Sequence, residues 1–335
     1  MRLTMLHDLS VPGFAAPRAE IYAAALDMCE WADAAGFHSI GLGEHHGSPD
    51  GYDPSPVVAA AAIAARTRRI RIRTSVLLAP LYDPVKLAED LAVASIFSGG
   101  RLEAGIGAGY RPAEFAAFGK SLAERWTRMG EIVAFLRQAW LGEPFQWQGR
   151  RVHITPRPEP PPPIILGGAF PRSARRAARI ADGWLPRSPD LWKPYRDECL
   201  KLGKPDPGPY PAQGPLFLHL SRDPERDWPR VLPHVARMAE IYGRWQREAP
   251  GQKPGPYAAP SEADLRASPS YKVLTPESAL ALAESLGPHA VLYVTPLLCG
   301  LPPSLAWQSL HLLETEVLPH LPRNSRSLRN KALDS

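Results

Sequence analysis

The sequence predicts an α/β fold, a TIM-type (β/α)8 barrel with an inserted loop or lid, on three observations. Short apolar runs of strand length alternate with longer amphipathic or alanine-rich runs of helix length from the N-terminus onward. About eight such units follow one another, which favours a closed parallel barrel over an open doubly wound sheet. The length of 335 residues suits one such domain, taken as residues 1–322.

The elements follow in order. Leu3 to Leu6 is the first strand, and Arg18 to Ala35 is a helix ended by Gly36. Ser39 to Gly43 is the second strand, after which Pro54 opens an alanine-rich helix through Ala65. Ile70 to Leu78 begins with arginine alternating with isoleucine, the mark of a strand entering a core, and Pro84 to Phe97 is its helix. Arg101 to Ile106 pairs in the same way with Ala123 to Trp140, and Pro163 to Leu166 with Ser173 to Ala181. Phe217 to Leu220 precedes a helix over Pro229 to Arg247, and Ala290 to Thr295 precedes one over Pro303 to Leu318. Pro156 to Pro163 reads as an extended connector. Ala249 to Tyr271, with its Pro, Gly and Ser, is too long for an ordinary barrel loop and reads as a mobile lid. The polar tail, 323–335, reads as flexible.

Composition narrows the function. Hydrophobic residues make up 44% and charged residues 22%, which allows a sizeable core. The net charge of +5 is scattered, and the densest basic run, Arg66 to Arg73, ends in strand alternation, so nucleic acid is not an expected partner. Cys29, Cys199 and Cys299 fit no metal or redox spacing and read as reduced thiols. No signal peptide is readable at the N-terminus and no run approaches a membrane span. The expectation is a soluble cytoplasmic protein with no membrane partner.

Gly43-Glu44-His45-His46 stands where the second strand ends, the end at which a parallel barrel does its chemistry. Two imidazoles beside a carboxylate can orient, protonate or deprotonate a substrate, or hold a metal. No further metal ligand is readable nearby, so no metal is expected. His7, at the end of the first strand, falls on the same face and is a candidate for a substrate pocket, as is Tyr110. Gly105-Ile106-Gly107-Ala108-Gly109 is not a dinucleotide fingerprint, because its third glycine is misplaced and Pro112 stands where the helix should be under way. It reads as a strand end kept small so that a flat ring can approach the backbone. Leu166-Gly167-Gly168-Ala169 precedes a helix containing Ser173, and N–H groups at a helix start suit a phosphate. Arg101, after Gly99-Gly100, reads as the structural anchor of a strand start.

These segments, together with Thr74 to Pro80, Asp83 to Asp90, Ser98 to Tyr110, Glu114 to Gly119, Ile165 to Gly168 and Arg175 to Trp184, resemble the bacterial luciferase-like family of flavin-dependent oxidoreductases. Order and spacing match over residues 1–185 and more loosely beyond. The resemblance implies a TIM barrel with the flavin at the carboxyl ends of the strands. By analogy it places a non-prolyl cis peptide at Ser75–Val76, as a ledge behind the isoalloxazine ring. The implied cofactor site comprises Ser75, Val76, Gly107, Ala108, Gly109, Gly167, Gly168, Ala169 and Ser173. Of these, Gly168, Ala169 and Ser173 would hold the phosphate, and Arg172 and Arg175 could add charge. Bacterial luciferase has a cysteine and then an arginine where Gly107 and Ala108 stand, so neither a thiol role nor that phosphate contact carries over.

His45 is implied as the catalytic group against the reacting flavin edge, with His46 and Glu44 orienting it. The implied activity is a monooxygenase that uses reduced FMN and O2 on a small organic substrate, an aldehyde, ketone or similar. With no NAD-binding domain readable, a separate flavin reductase would be the partner that supplies reduced FMN. The alternative is an F420-dependent oxidoreductase performing hydride transfer, to which the Gly167-Gly168 loop and Ala181 to Trp184 bear likeness. A flavin carrier or a metal-dependent hydrolase on the same barrel is weaker, since both histidines are present and a metal set is not readable. Family members commonly dimerise through helices near the first strands, so a homodimer is expected; alanine-rich Val57 to Ala65 could form such an interface or equally pack on the barrel. Substrate identity lies in the divergent loops.

Overall fold

The structure, a computed structural model, describes residues 1–249 and 261–322. Residues 250–260 of the segment read as a lid, and the tail read as flexible, therefore lie outside the described residues. In chain order the first half forms β1 (Arg2–His7), α1 (Arg18–Ala34), β2 (Ser39–Leu42), α2 (Pro56–Arg66), β3 (Arg71–Thr74), β4 (Leu77–Leu78), α3 (Pro84–Phe97), β5 (Leu102–Gly107), α4 (Pro112–Ala117) and α5 (Arg125–Ala139). There follow β6 (Phe145–Trp147), β7 (Arg150–Val152), β8 (Ile164–Gly168), α6 (Pro171–Ile180), β9 (Gly183–Pro186) and α7 (Trp192–Lys201). The chain continues with β10 (Phe217–Leu220), α8 (Pro224–Glu248), α9 (Glu262–Ala267), β11 (Tyr271–Leu274), α10 (Pro276–Leu286), β12 (Val291–Val294) and α11 (Pro303–Leu312).

Contacts gather these elements into two compact units. The first holds Met1–Ile40, Pro211–Arg244 and the described residues from 261 onward. In it β1 runs parallel to β12, with Arg2 opposite Val291 and Met5 opposite Val294. β10 runs parallel to β11, with Phe217 opposite Tyr271. Met5, Ile21, Met28, Phe217 and Leu292 are buried in its core. The second unit holds Gly41–Tyr210 and a segment that begins at Trp245. Its strands lie in the order β2-β3-β5-β8-β9, with β4 beside β5. β5 is the centre: parallel to β3, to β4 and to β8, it buries all six of its residues. A run buried along its whole length is what a parallel strand covered on both faces requires.

α3 shows how local sequence sets an element. The Asp83 carboxylate accepts the amides of Val85 and Lys86, and Pro84 fits the first turn, where no amide is needed. Leu87, Ala88, Leu91 and Ala92 then form the buried stripe. Past Ser98, Gly99 and Gly100 take positive φ and turn the chain into β5.

Several expected boundaries move. Pro56, not Pro54, opens α2, because Ser55 takes the N-cap position. The strand expected over Ile70 to Leu78 is divided into β3 and β4, and the peptide between them, Ser75–Val76, is cis, as the resemblance placed it. α8 begins at Pro224 rather than Pro229, so Pro229 and Pro233 lie inside it. The last helix is α-helical only to Leu312 and continues as a widened π turn. The connector around Pro156 carries no regular structure, and the bonds before Pro156 and Pro160 are cis. The three cysteines are buried and in no disulfide. Among the described residues no helix is long and apolar enough to cross a membrane.

Candidate functional site

The site grows from the end of β2. At Gly43 a side chain would overlap the Tyr52 hydroxyl, so the strand stops on a residue without one. Glu44 is buried. One of its oxygens accepts the Leu78 amide at 2.6 Å, and the other accepts the Tyr82 hydroxyl and faces His46 Nε2, both at 2.7 Å. Glu44 thus ties the end of β2 to β4 and orients His46. Burial and then the Glu44 charge push the Tyr82 hydroxyl far above its ordinary value, so it stays a donor. Nearby Asp53 has one oxygen on the Ser55 amide at 2.9 Å, and its other oxygen is buried without a partner. Burial pushes its carboxyl up to about 6; the Ser55 hydrogen bond opposes this and the Glu44 charge adds to it.

His45 is oriented by a different carboxylate. Its Nδ1 lies 2.8 Å from Glu114 Oε1, and the same oxygen accepts the His46 amide and Arg111 Nη1, each at 3.0 Å. Arg111 also donates to the His46 carbonyl at 2.8 Å. Burial alone would push Glu114 up, but the hydrogen bond and charge of His45, the His46 amide and Arg111 together hold it below the ordinary carboxylate value. A carboxylate can only accept, so Nδ1 carries the proton and Nε2 is the acceptor of the His45 ring. The carboxylate that meets the His45 ring is Glu114, whereas Glu44 meets His46. Glu44 is also committed to β4 and Tyr82. Among the described residues the rings of Tyr52, Tyr110 and Trp245 lie around the imidazole, with centroids at 5.0, 5.7 and 4.3 Å. The Arg111 guanidinium lies 4.3 Å over the Trp245 ring.

At the neighbouring strand ends, Ser75 is exposed and Val76 half-buried. The small residues of β5 answer to packing. A side chain on Gly105 would strike the Thr74 carbonyl, and one on Gly107 would strike Val76. On Gly167 it would meet Val76 Cγ1 at 2.8 Å. Gly107 and Gly167 thus both face Val76 across the strand ends. Ala108 is buried, and Gly109 takes φ +71° to turn the chain toward Tyr110.

The β8–α6 turn has the character of an anion site. Gly168 is pressed between Trp184 and Ser173. Ser173 is 4% exposed and its hydroxyl has no partner. Phe170, at the N-cap, offers no side-chain cap. An orphaned hydroxyl beside an uncapped helix start fits the phosphate end of a flavin, with Gly168, Ala169 and Ser173 around it. Arg172 stands at that turn, and Arg175 is exposed. Arg101 donates to the carbonyls of Ala64, Thr67 and Ile70 and to the Thr67 hydroxyl, and so is the strand anchor expected. His7 ends β1 in the first unit. Burial pushes it down to about 4, and neither ring nitrogen has a partner.

The second unit therefore brings together Glu44, His45, His46 and Tyr110. Sequence reasoning gave no site role to Glu114, Arg111, Tyr52, Tyr82, Asp53 or Trp245. A signal for Glu114 exists: Pro112 starts α4, and Glu114 sits in its first turn.

Known proteins share this arrangement of chain. The oxygenase component of a flavin-dependent trigonelline monooxygenase from Acinetobacter baylyi is 30% identical over 163 residues, 46% of this chain and 45% of its own. An F420-dependent glucose-6-phosphate dehydrogenase from Amycolatopsis mediterranei is 28% identical over 193 residues, 53% of this chain and 58% of its own. The chain spans about half the length of the curated relatives it matches. The crystal structure of monooxygenase RslO1 from Streptomyces bottropensis matches with a TM-score of 0.77 at 26% identity, covering 96% of this chain and 99% of that one. The fold is the TIM-like α/β barrel of such proteins. A family model described as luciferase-like monooxygenase matches residues 5–266, and the chain belongs to that family.

Proposed function

We propose that the chain is the oxygenase of a flavin-dependent monooxygenase, receiving reduced FMN from a separate flavin reductase and oxidising a small organic substrate such as an aldehyde or ketone. The observation that carries this reading is the buried His45–Glu114 pair at the end of β2, with Arg111 on the same carboxylate oxygen. When bound, reduced flavin supplies the electrons with which O2 is activated. Glu114 holds the proton on Nδ1, so His45 takes up and returns a proton at Nε2. Tyr52, Tyr110 and Trp245 exclude water around that ring. Ser75 and Val76 would support the ring system, and Gly168, Ala169 and Ser173 the phosphate. The relationship to an oxygenase component favours a separate reductase. Exposed Val58 on α2 and Val93, Ile96 and Phe97 on α3, helices that pack on each other, favour a homodimer.

A second reading, F420-dependent hydride transfer, draws on the likeness to the F420-dependent dehydrogenase. Titrating the purified protein with FMN, reduced FMN under anaerobic conditions, and F420, followed by fluorescence, separates the two. Tight binding of reduced FMN is the expected result. Binding of F420 alone would overturn the FMN reading in favour of the second.

A further inference from the structure

We propose that the cavity between α1, α11 and the start of α8 is a second binding site, for an uncharged aromatic ring system that carries an acceptor oxygen. The cavity lies wholly within the first unit, whereas Glu44, His45, His46, Arg111 and Glu114 belong to the second. Its volume is about 620 Å³, within the range of small-molecule sites. Trp31 of α1 and Trp307 of α11 stand on its wall, each half-buried, and Leu220 and Leu312 complete the apolar surface. The Leu220 amide donates to Ser309 Oγ of α11 at 2.7 Å, which fixes the end of β10 against that helix. Past Leu312 the helix widens into a π turn over Leu313–Val317, and Glu314 of that turn lines the same cavity. Single π turns of this kind gather at functional sites.

The aromatic part of the ligand follows from the geometry of the two indoles. Their rings meet edge to face, with centroids 6.2 Å apart and planes at 88°, and so form a corner. A flat ring placed in that corner stacks on one indole and meets the other edge to face. These are the two arrangements that aromatic pairs favour, and each adds to the gain from burial alone. An aliphatic ligand of the same volume gains neither.

The charge of the ligand follows from the rest of the wall. Its two guanidinium groups, Arg222 and Arg226, are matched by two carboxylates, Asp227 and Glu314. Arg226 gives Nε and Nη2 to Asp227, both at 3.0 Å, Arg222 is paired with Glu316, and Glu314 lies 3.9 Å from His311 Nδ1. Asp227 also accepts the Ser221 hydroxyl at 2.6 Å and Arg230 Nη1 at 2.9 Å, which fills its lone-pair directions. An ion of either sign would lose its hydration here without a net charge to receive it. Hydrogen-bonding capacity, by contrast, is uneven. Among the described residues nothing accepts from the indole N–H of Trp31 or Trp307, and both guanidinium groups keep N–H groups beyond those their ion pairs use. A wall with donors to spare selects a ligand with an acceptor oxygen.

The test is equilibrium dialysis of the full chain at neutral pH against probes that share one ring system: 2-naphthol, naphthalene, 2-naphthoate and 2-naphthylmethylammonium. The proteins are the wild type, Trp307→Ala, Ser304→Phe and His45→Gln. Ser304 is exposed in the first turn of α11 and lines the cavity, so a phenylalanine there fills it without disturbing the core. That variant carries the test if Trp307→Ala does not fold. 2-Naphthol should bind about fivefold more tightly than each of the other probes. Trp307→Ala and Ser304→Phe should each weaken it about tenfold, and His45→Gln should leave it unchanged. Equal binding of naphthalene or of either ion would overturn the assignment of the ligand, and the absence of 2-naphthol binding would overturn the site. Binding that is lost in His45→Gln and kept in Ser304→Phe would place the probe elsewhere and overturn it too. A second copy of the chain seated on the cavity would appear as a dimer that Ser304→Phe dissociates in sedimentation, with no 2-naphthol bound by the wild type, and would likewise overturn the proposal.

Discussion

Asp53→Asn should stabilise this protein, by an amount that depends on pH in a defined way. Asn keeps the shape of the side chain and the oxygen that accepts the Ser55 amide, and removes a charge whose second oxygen is buried without a partner. The carboxyl titrates at 3.8 in the unfolded chain and at about 6 in the folded one, because burial disfavours the anion and Glu44 adds to the effect. Between these values the folded state binds the extra proton. The Asp53 contribution is therefore complete below about pH 4, is lost as pH rises through about 6, and is flat above. A shift of about two units corresponds to roughly 3 kcal/mol. His7 and His219 work in the opposite sense. Burial pushes each down to about 4, so the unfolded chain binds the extra protons and stability falls with pH below the ordinary histidine value. Those terms are common to both proteins and cancel in the difference. Urea unfolding of wild type and variant across the range from about pH 4 to 7.5 should give a gap near zero at the acid end and about 3 kcal/mol at the other. A gap that does not change with pH, or a variant less stable than wild type at neutral pH, would refute the reasoning.

Two further changes separate catalysis from support. Glu114→Gln retains an acceptor for His45 but removes the charge that receives Arg111; kcat should fall about tenfold to hundredfold with KM nearly unchanged, and a matching loss of unfolding stability would point instead to a merely structural role. Arg101→Ala removes the donor to three carbonyls and the Thr67 hydroxyl where β5 begins. It should cost about 2–4 kcal/mol in urea unfolding while FMN affinity in the folded protein stays at the wild-type level.

What the sequence made legible follows the range of the interactions involved. α3 was readable to the residue because Asp83, Pro84, its apolar stripe and Gly99 are all local signals. α4, the β6–β7 hairpin and β9 are too short for a period to emerge above chance. The Gly43 to His46 run announced the site, since chemistry at a strand end needs only four adjacent residues to be visible. Its wiring was not legible. Glu44 and Glu114 are both carboxylates near histidines, and only the fold shows that Glu44 turns back to Leu78 while Glu114 arrives from another helix to meet His45. The glycines of β5 were read as room for a flat ring; that the neighbour facing Gly107 is the Val76 side chain is a tertiary fact.

That seat for Val76 means that three strand ends share one volume. Any bulk gained at Gly107 or Gly167 must be surrendered at residue 76, and a smaller residue 76 would permit a side chain at either of the others. These positions are therefore free to drift only as a set. A lineage that placed a reactive or charged side chain at the end of β5 would first have to trim the residue after the Ser75 peptide. The chemistry available along this edge of the sheet is in that sense rationed by packing before any ligand is considered.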